Sequence, residues 1–293
     1  MKIVKIHGGL GNQMFQYSFA LALSARGGEV RIDASALAGD ALHNGYELST
    51  VFSVTLGQAE PDDVRRLSIP PDGLVNRFRR KYLTKPTQVI DRVFGYQPEL
   101  LELSGDRYFE GYWQSEKYFS GIEAQVRREL AFTQPLSERN ESLLAAAPRP
   151  LASVHVRRGD YLLYQNLDLC TPAYYAKAVD ALRSSGSARH FLVFSEDVEY
   201  CRATMKFGPG EAEFVGWNGG RDSWQDMAMM ARCDSHVVAN SSFSWWGAWL
   251  DPSPAKRVIA PSIWNRREIE DHDLYYRYRF EDIVPGSWER VPI

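Results

Sequence analysis

The chain has 293 residues, of which 44% are hydrophobic and 24% charged, and its formal net charge is −3. This composition is typical of a globular protein with room for two domains, and it excludes the basic surface expected of a nucleic-acid-binding protein. No run approaches the roughly 18 apolar residues that span a bilayer, and the three cysteines form no CxxC pair, so we expect a reduced, cytoplasmic protein without an integral membrane segment.

The first half of the chain begins with a predicted strand, a glycine-rich loop and a helix. Glycines let the backbone approach a ligand closely, and the amides at a helix N-terminus attract anions. Asn12 and Gln13 are interpreted equally well as helix caps or as amides that point into a ligand cleft. In chain order the predicted elements are a strand at 2–6, the loop His7–Gly11, a helix at 12–26 ended by Gly27 and Gly28, and a strand at 29–33.

The same loop leaves a dinucleotide-binding function open. The fingerprint of such sites is G-x-G-x-x-G, but here Gly9 and Gly11 are followed by Asn12-Gln13-Met14, so the third glycine is missing. Asp33 lies about twenty residues further along the chain, where a ribose-binding carboxylate would be expected. A nicotinamide-dependent oxidoreductase therefore remains an alternative.

The middle of the chain, 40–105, is less regular and rich in proline. Its basic run, Arg77–Lys81, is interpreted as a solvated helix face or as a contact with an acidic acceptor or a lipid surface, so peripheral membrane binding stays open. A strand is predicted at 107–113, a helix at 115–130 and a linker at 145–150. We expect two domains, 1–148 and 149–293.

Strands and helices alternate regularly in the second half, which predicts a parallel, doubly wound sheet. Thr171 and Pro172 have the pattern of a helix N-terminus. The predicted strands are 151–156, 191–194, 213–215, 236–239 and 257–260, and the predicted helices are 172–184, 198–205, 224–233 and 242–250.

Two arginines follow the first strand of this half, in the segment His155–Tyr161. Ligands of open α/β sheets bind outside the carboxyl ends of the strands, and guanidinium groups bind phosphate oxygens bidentately. Arg157 and Arg158 therefore form a candidate phosphate clamp. The alternative is a pair of solvated arginines, or an ion pair with Asp160.

The segment Asn240–Trp249 joins a predicted strand to a helix, and its serines offer hydroxyls and backbone amides to an anion. The alternative is an N-cap on a helix packed with tryptophan. Because Ser241 and Ser242 follow a strand of the same sheet as Arg157, we expect both segments to bind one diphosphate.

Carboxylates supply the remaining candidates. Ser223 and Asp226 have capping-box spacing, although Asp226 could instead accept the two N–H groups of a guanine edge. Glu196 and Asp197 follow the strand 191–194 as loop residues. The D-x-D string at Asp271–Asp273 is interpreted as part of a charged C-terminal stretch rather than as a metal site.

Together these segments resemble the α-1,2-fucosyltransferases of glycosyltransferase family 11, in particular the bacterial members. The family pattern G-G-L-G-N-Q-M-F-Q matches Gly8–Gln16, H-V-R-R-G-D-Y matches His155–Tyr161, F-S-x-D matches Phe194–Asp197, and D-x-W-x-D-M…N-S-S-F-S-W-W matches Asp222–Trp246. Glu196 departs from the pattern, since an aspartate is usual there.

The resemblance implies an α/β fold of GT-B type, with two Rossmann-like doubly wound domains facing across a cleft, an acceptor-side N-terminal domain and a donor-side C-terminal domain. It also implies inverting, metal-independent transfer of L-fucose from GDP-fucose to the 2-hydroxyl of a galactose-terminated oligosaccharide, with no cofactor. The implied donor-binding residues are His155, Arg157, Arg158, Asp226, Ser241, Ser242, Phe243, Gly11 and Asn12, and those implied in catalysis are Arg157 and Asn12.

No residue stands out as the base that deprotonates the acceptor hydroxyl. Asp160 and Glu116 are the candidates, since a base must lie within hydrogen-bonding distance of that hydroxyl. The eight tryptophans also suit a non-catalytic sugar- or nucleotide-binding module, which remains an alternative.

Overall fold

The computed structural model describes residues 1–38, 44–69, 85–270 and 277–293, except for the side chains of Asp160, Ile269 and Glu270. The basic run Arg77–Lys81 and the D-x-D string Asp271–Asp273 lie outside these residues. Contacts divide the chain into two compact units, Met1–Thr133 with Asp273–Ile283 and Gln134–His272 with Val284–Ile293.

The first unit contains a four-stranded parallel sheet in the order β2-β1-β4-β3. Its strands are β1 (Lys2–Lys5), β2 (Val30–Asp33), β3 (Gln88–Ile90) and β4 (Arg107–Glu110). Its α-helices are Leu10–Ala25, Leu48–Val51, Pro61–Leu67 and Glu123–Glu129, and its short 3-10 helices are Ser35–Leu37, Pro98–Glu102, Glu116–Phe119 and Phe280–Asp282.

Helix Leu10–Ala25 is the centre of this unit. It is apolar on almost every side, and such a helix is buried within a core rather than laid on a surface. Phe19 stacks on Trp113 with ring centroids 4.6 Å apart and meets Phe109 edge-on at 5.3 Å. The helix is thereby fixed against β4 and the segment that follows it.

The continuous helix predicted at 115–130 is wrong. The structure has the 3-10 turn Glu116–Phe119 and then the helix Glu123–Glu129. Between them Gly121 has φ +91°, a left-handed conformation that an α-helix does not accommodate.

The second unit contains a six-stranded parallel sheet in the order β10-β9-β8-β5-β6-β7. Its strands are β5 (Leu151–His155), β6 (His190–Phe194), β7 (Ala212–Val215), β8 (Ser235–Val237), β9 (Arg257–Pro261) and β10 (Glu289–Val291). Its helices are Glu138–Ala146, Pro172–Ser184, Val198–Thr204, Trp224–Met230, Ser242–Leu250 and Arg267–Glu270, with 3-10 turns at Gly159–Leu163 and Gly220–Asp222.

This strand order is doubly wound. From β5 the chain moves outward through β6 to β7, returns to pair β8 with the other side of β5, and continues outward to β9 and β10. Every residue of β5 and β6 is buried, as expected of central strands covered on both faces. The predicted α/β class with parallel sheets is confirmed.

The contacts divide the chain earlier than the predicted boundary after residue 148. Helix Glu138–Ala146 contributes Leu144 to a core cluster with Leu151. Its Asn140 donates a hydrogen bond to Gln225 in helix Trp224–Met230. The segment between Thr133 and β5 therefore belongs to the second unit, and only its last residues form a connection.

Candidate functional site

The carboxyl edge of the second sheet gathers the sequence motifs of the second half of the chain. The strands β8, β5, β6 and β7 lie side by side and are followed by the segments that carry Ser241, Arg157, Glu196 and Asn218, respectively. Between β5 and β8 the winding direction of the sheet reverses. Such a switch point is where open α/β sheets bind ligands, so the arrangement marks a candidate nucleotide site.

His155 is the last residue of β5 and is only 6% exposed. Burial, followed by the charge of Arg157, lowers its pKa to about 3, so the imidazole is neutral at neutral pH. Its Nδ1 atom is buried and has no hydrogen-bond partner among the described residues. Buried polar atoms are nearly always paired, which makes this nitrogen a candidate contact for a ligand.

The two arginines of the motif have different surroundings. Nη1 of Arg157 lies 3.5 Å from Oε1 of Glu196, and its guanidinium lies 5.2 Å from the centre of the Tyr161 ring. Arg158 instead donates from Nε to Asp197 at 3.1 Å and lies over the Tyr200 ring at 3.5 Å. Arg158 therefore contacts the segment after β6. Its binding to the donor substrate stays a prediction.

The loop that carries Arg157 is fixed by Glu196. The backbone N–H of Arg158 donates to Oε1 of Glu196 at 3.0 Å. Gly159 has φ +42°, and a Cβ there would lie 2.7 Å from the same oxygen. The motif glycine thus allows the close approach of the two loops. The predicted ion pair with Asp160 and its role as a base concern a side chain outside those described.

Helix Ser242–Leu250 begins at the end of the segment after β8. The hydroxyl of Ser241 caps it by accepting the N–H of Phe243 at 3.4 Å. Ser242 is half-buried at the first helical position, and the Phe243 ring lies 5.8 Å from that of His155. The helix N-terminus and the end of β5 are thus adjacent, and their shared binding of a diphosphate stays a prediction.

Asp226 does not belong to a capping box. Ser223 has helical backbone angles and makes no side-chain cap, so that interpretation is wrong. Oδ1 of Asp226 instead accepts a hydrogen bond from Nδ2 of Asn218 at 2.7 Å. Burial raises the pKa of Asp226 to about 7; the bond from Asn218 opposes this rise, and the charge of Glu196 adds to it.

The glycine-rich loop of the first unit follows β1. Gly8 has φ +76°, and Gly9 is the N-cap residue of helix Leu10–Ala25 without a side-chain cap. Gly11 is buried in the first turn. Asn12 accepts a hydrogen bond at Oδ1 from Nε2 of Gln114 at 2.8 Å. This amide pair joins the ends of β1 and β4, where the first sheet also reverses direction.

Gln13 has a structural role. Its Nε2 donates to the carbonyl oxygens of Gly8 and Gly45 at 2.9 and 2.8 Å, and its Oε1 accepts the N–H of Glu47 at 3.0 Å. Of the two amides considered from the sequence, only Asn12 is partly exposed. Gln114 was missed, although it follows the predicted strand 107–113 directly.

His7 is a second residue without an assigned role in the sequence analysis. It contacts the Tyr112 ring edge-on at 4.8 Å. Burial is the main cause that lowers the pKa of His7 to about 4. The residue is therefore neutral at neutral pH beside the glycine-rich loop.

Asp33, the residue on which the dinucleotide alternative depended, is only 6% exposed. Its Oδ2 accepts the hydroxyl of Tyr108 at 2.7 Å, and its Oδ1 accepts the N–H of Ser35 at 3.0 Å. A ribose-binding carboxylate needs accessible oxygens. This geometry argues against the oxidoreductase alternative. Glu116, the second candidate base, lies half-buried at the start of a 3-10 turn.

In the part of the chain that the structure describes, every helix is too short or too polar to cross a membrane.

Comparison with known proteins adds to this geometry. The family model of glycosyl transferase family 11 matches residues 91–280. An alpha-1,2-colitosyltransferase of Escherichia coli is 30% identical over 99% of this chain and 98% of its own length. Galactoside alpha-(1,2)-fucosyltransferase 1 of Homo sapiens is 27% identical over 83% of this chain, and the match spans 64% of that enzyme.

Solved structures share the fold. The NodZ alpha-1,6-fucosyltransferase soaked with GDP-fucose has a TM-score of 0.50 at 18% identity, covering 89% of this chain and 94% of that one. Another crystal structure of NodZ from Bradyrhizobium has a TM-score of 0.54 with the same identity and coverage. With two parallel-sheet units, this likeness confirms the predicted fold of GT-B type.

Proposed function

The chain belongs to glycosyltransferase family 11, and we propose that it transfers L-fucose from GDP-fucose to the 2-hydroxyl of a terminal galactoside on an oligosaccharide. The observation that carries this proposal is the carboxyl edge of the second sheet. There the Nδ1 of His155, which has no hydrogen-bond partner among the described residues, the guanidinium of Arg157 and the tip of helix Ser242–Leu250 lie at the ends of two neighbouring strands.

In the proposed reaction the acceptor oxygen attacks the anomeric carbon as the bond from that carbon to the β-phosphate oxygen breaks. The configuration at carbon is inverted, and the electron pair of the broken bond remains on GDP. Groups aimed at the charge that develops on the leaving phosphate lower the barrier most. We assign this role to Arg157, the Ser241 and Ser242 hydroxyls and the amides of the helix tip, without a metal ion.

The nucleoside base is assigned to the end of β5 and to the segments after β7 and β8. An ionised carboxylate accepts two hydrogen bonds side by side, which fits the adjacent N1–H and N2–H groups of guanine. Asp226 supplies that carboxylate, His155 supplies a neutral imidazole nitrogen, and Phe243 supplies an aromatic face beside it. Arg158 remains a further candidate for donor binding.

For the acceptor hydroxyl, Asn12 is proposed to orient the oxygen, in the glycine-rich loop with Gly11. Asp160 is the proposed base. An Asp160→Asn variant should lose the acidic limb of the pH–rate profile, because that limb reports the protonation of the base. A profile with an unchanged acidic limb would remove Asp160 from this role.

Colitosyl transfer is a second candidate. It is favoured by the relative from Escherichia coli, whose match covers nearly all of both chains. Fucosyl and colitosyl donors offered in equal amounts to one acceptor should separate the two candidates, since the preferred sugar will appear in the product.

The test of the main proposal is a screen of β-galactoside acceptors with labelled GDP-fucose, followed by linkage analysis of the product. We expect an α-1,2-linked fucose, with turnover that persists in EDTA. A loss of turnover in EDTA that manganese restores would contradict the metal-independent step. GDP binding without turnover or donor hydrolysis would favour the binding module, and stabilisation by NAD(H) but not GDP would favour the oxidoreductase.

A further inference from the structure

A chain of buried side-chain amides leads to the carboxylate of Asp226. Nδ2 of Asn218, in the segment after β7, donates to Oδ1 of Asp226 at 2.7 Å. Nδ2 of Asn140, in helix Glu138–Ala146, donates to Oδ1 of Asn218 at 3.0 Å. The indole Nε1 of Trp217 donates to Oδ1 of Asn140 at 2.8 Å. We call Trp217, Asn140 and Asn218 the amide relay.

The direction of the relay is fixed by groups that can only donate. An indole N–H has no acceptor, so the atom of Asn140 that faces Trp217 is the oxygen, and its nitrogen faces Asn218. The backbone N–H of Ser137 fixes the same orientation from the other side. It donates to Oε1 of Gln225 at 2.8 Å, and Nδ2 of Asn140 donates to this oxygen at 2.7 Å.

The consequence is that the relay ends in an N–H group pointed at Asp226. A turned amide of Asn218 would present its oxygen to the carboxylate, and two acceptors in contact favour the protonated acid. Asn140 is fully buried and Asn218 is 8% exposed, so water has little access to replace these bonds. The side chains of Trp217, Asn140 and Asn218 therefore adopt one stable arrangement.

We propose that the amide relay positions Asp226 and favours its ionised form, so that its carboxylate accepts the paired N–H groups of a guanine base. Asn218, Asn140 and Trp217 are thereby positioning residues for the donor nucleotide. This inference rests on the proposed function, in which Asp226 binds the base of the donor.

The charges around Asp226 make such a device necessary. Glu196 faces it from the segment after β6, and burial and that negative charge both raise its pKa. On the side of helix Glu138–Ala146, the guanidinium of Arg139 lies over the Trp217 ring at 3.6 Å. The bond from Asn218 opposes protonation, so its loss should leave the acid uncharged at neutral pH.

The experiment is a calorimetric titration of GDP into the full chain between pH 6 and 9. In Asn218→Leu we expect the pH at which GDP affinity falls to rise by about one unit, and Kd at pH 7 to rise roughly tenfold, the loss expected for a hydrogen bond to a charged group. At pH 9 the difference should shrink to about threefold, because the carboxylate is then ionised in both proteins. The titration of GDP itself is common to all variants.

Trp217→Phe tests the far end of the relay. It retains an aromatic ring for Arg139 and removes only the donor to Asn140, so we expect a smaller shift of the pH profile in the same direction. Gln88→Leu is the matched control, because Nε2 of Gln88 donates to the carboxylate of Glu110 at 3.1 Å in the other unit. It removes a buried amide next to a carboxylate and should leave the GDP profile unchanged.

Two failures are distinguishable. If Asp226→Asn binds GDP as tightly as the wild type at every pH, the assignment of the base to Asp226 fails, and with it this part of the proposed function. If Asp226→Asn binds weakly while folded Asn218→Leu and Trp217→Phe keep the wild-type pH profile, the relay inference alone is overturned. Thermal melting identifies a variant that has not folded.

Discussion

In the proposed function, the phosphate that Arg157 binds would displace a carboxylate. Glu196 lies 3.5 Å from the guanidinium of Arg157, and the centre of the Tyr161 ring lies 5.2 Å from the same group. A phosphate group offers a guanidinium two oxygen acceptors side by side, as a carboxylate does. The guanidinium of Arg157 therefore already lies near one oxygen acceptor of the kind that a diphosphate offers.

Replacing Arg157 with lysine should be nearly as damaging as replacing it with alanine. Lysine retains the charge but not the planar fork that binds two oxygens. We expect kcat/KM for the donor to fall by about 10²–10³ in both variants, the usual loss when one group that stabilises developing charge is removed. Arg202→Ala is a control, since Arg202 stacks on Phe214 away from the motif. Near-native turnover of Arg157→Lys would contradict bidentate binding.

Glu196→Gln should strengthen donor binding. Glutamine retains an oxygen for the N–H of Arg158 but removes the charge that faces both Arg157 and Asp226. Partly exposed ion pairs contribute about 0.2–1 kcal/mol, so we expect GDP Kd at pH 7 to fall two- to fivefold in calorimetry. Glu199→Gln, an exposed neighbour, should have no effect. Weaker binding by Glu196→Gln would mean that Glu196 holds Arg157 in place.

Individual residues of the candidate site show which contacts can be predicted from the sequence and which cannot. The segments that carry Arg157 and Ser241 were predicted to lie at one edge of the sheet because each follows a buried strand, and their strands β5 and β8 do pair. The capping interpretation of Asp226 depended on spacing alone, and the turn Gly220–Asp222 already gives Ser223 a helical backbone. Asn140 and Gln114 belong to no sequence motif. The role of a side-chain amide depends on its hydrogen-bond partners, and the partners of these two residues are remote in sequence.

At the scale of elements, helix Ser242–Leu250 is held by hydrogen bonds at its C-terminus as well as at its tip. Nζ of Lys256 donates to the carbonyl oxygens of Ala248, Trp249 and Asp251 at 2.7, 3.2 and 2.6 Å. A cation at this end also interacts favourably with the helix dipole. The helix tip assigned to phosphate is thereby fixed from the opposite end.

Lys256→Met should therefore destabilise the protein by about 1–2 kcal/mol, because it leaves three partly buried carbonyl oxygens without a charged donor. Urea denaturation measures this change, and exposed Lys177→Met is the matched control. We also expect donor KM to rise in Lys256→Met under conditions where the protein is folded. An unchanged unfolding midpoint would show that solvent replaces the ammonium group.

Elements with a buried, regular pattern were predicted from the sequence, and elements that depend on partners were not. Helix Pro172–Ser184 has its predicted Thr171 cap, which accepts the N–H of Tyr174 at 3.3 Å. β10 consists of Glu289-Arg290-Val291, none of them buried, and it exists as a strand only through pairing with β9. Its sequence contains no apolar alternation that could reveal it.

At the scale of the whole molecule, the doubly wound order of the second sheet followed from alternating strands and helices, but the division of the chain did not. Pro148 and Pro150 indicated a linker, whereas the contacts assign 134–148 to the second unit and return Asp273–Ile283 to the first. Such a return depends on packing between residues remote in sequence. Changes in composition along the chain do not reveal such packing.

Buried ionisable groups in both units determine how stability depends on pH. Burial lowers the pKa of His7 to about 4, that of His155 to about 3, and that of His236 below its ordinary value of 6.5. Below pH 6.5 the unfolded chain therefore binds protons that the native protein does not, and stability falls as pH falls. Asp226 has the opposite effect. Because its pKa is raised from 3.8 to about 7 in the folded protein, its contribution to stability is complete below pH 3.8 and is lost as pH rises through about 7.

We therefore expect Tm to fall between pH 7 and pH 5, and to fall more steeply in Asp226→Asn, which lacks the opposing group. By the same sign Asp226→Asn should melt higher than the wild type at pH 8, where the buried carboxylate is charged, with the difference vanishing towards pH 5. Calorimetric scans in buffers of matched ionic strength measure both effects. Parallel Tm curves for the two proteins would mean that the pKa of Asp226 is not raised in the folded protein. Removing the charge that the proposed nucleotide site requires would then not stabilise the protein.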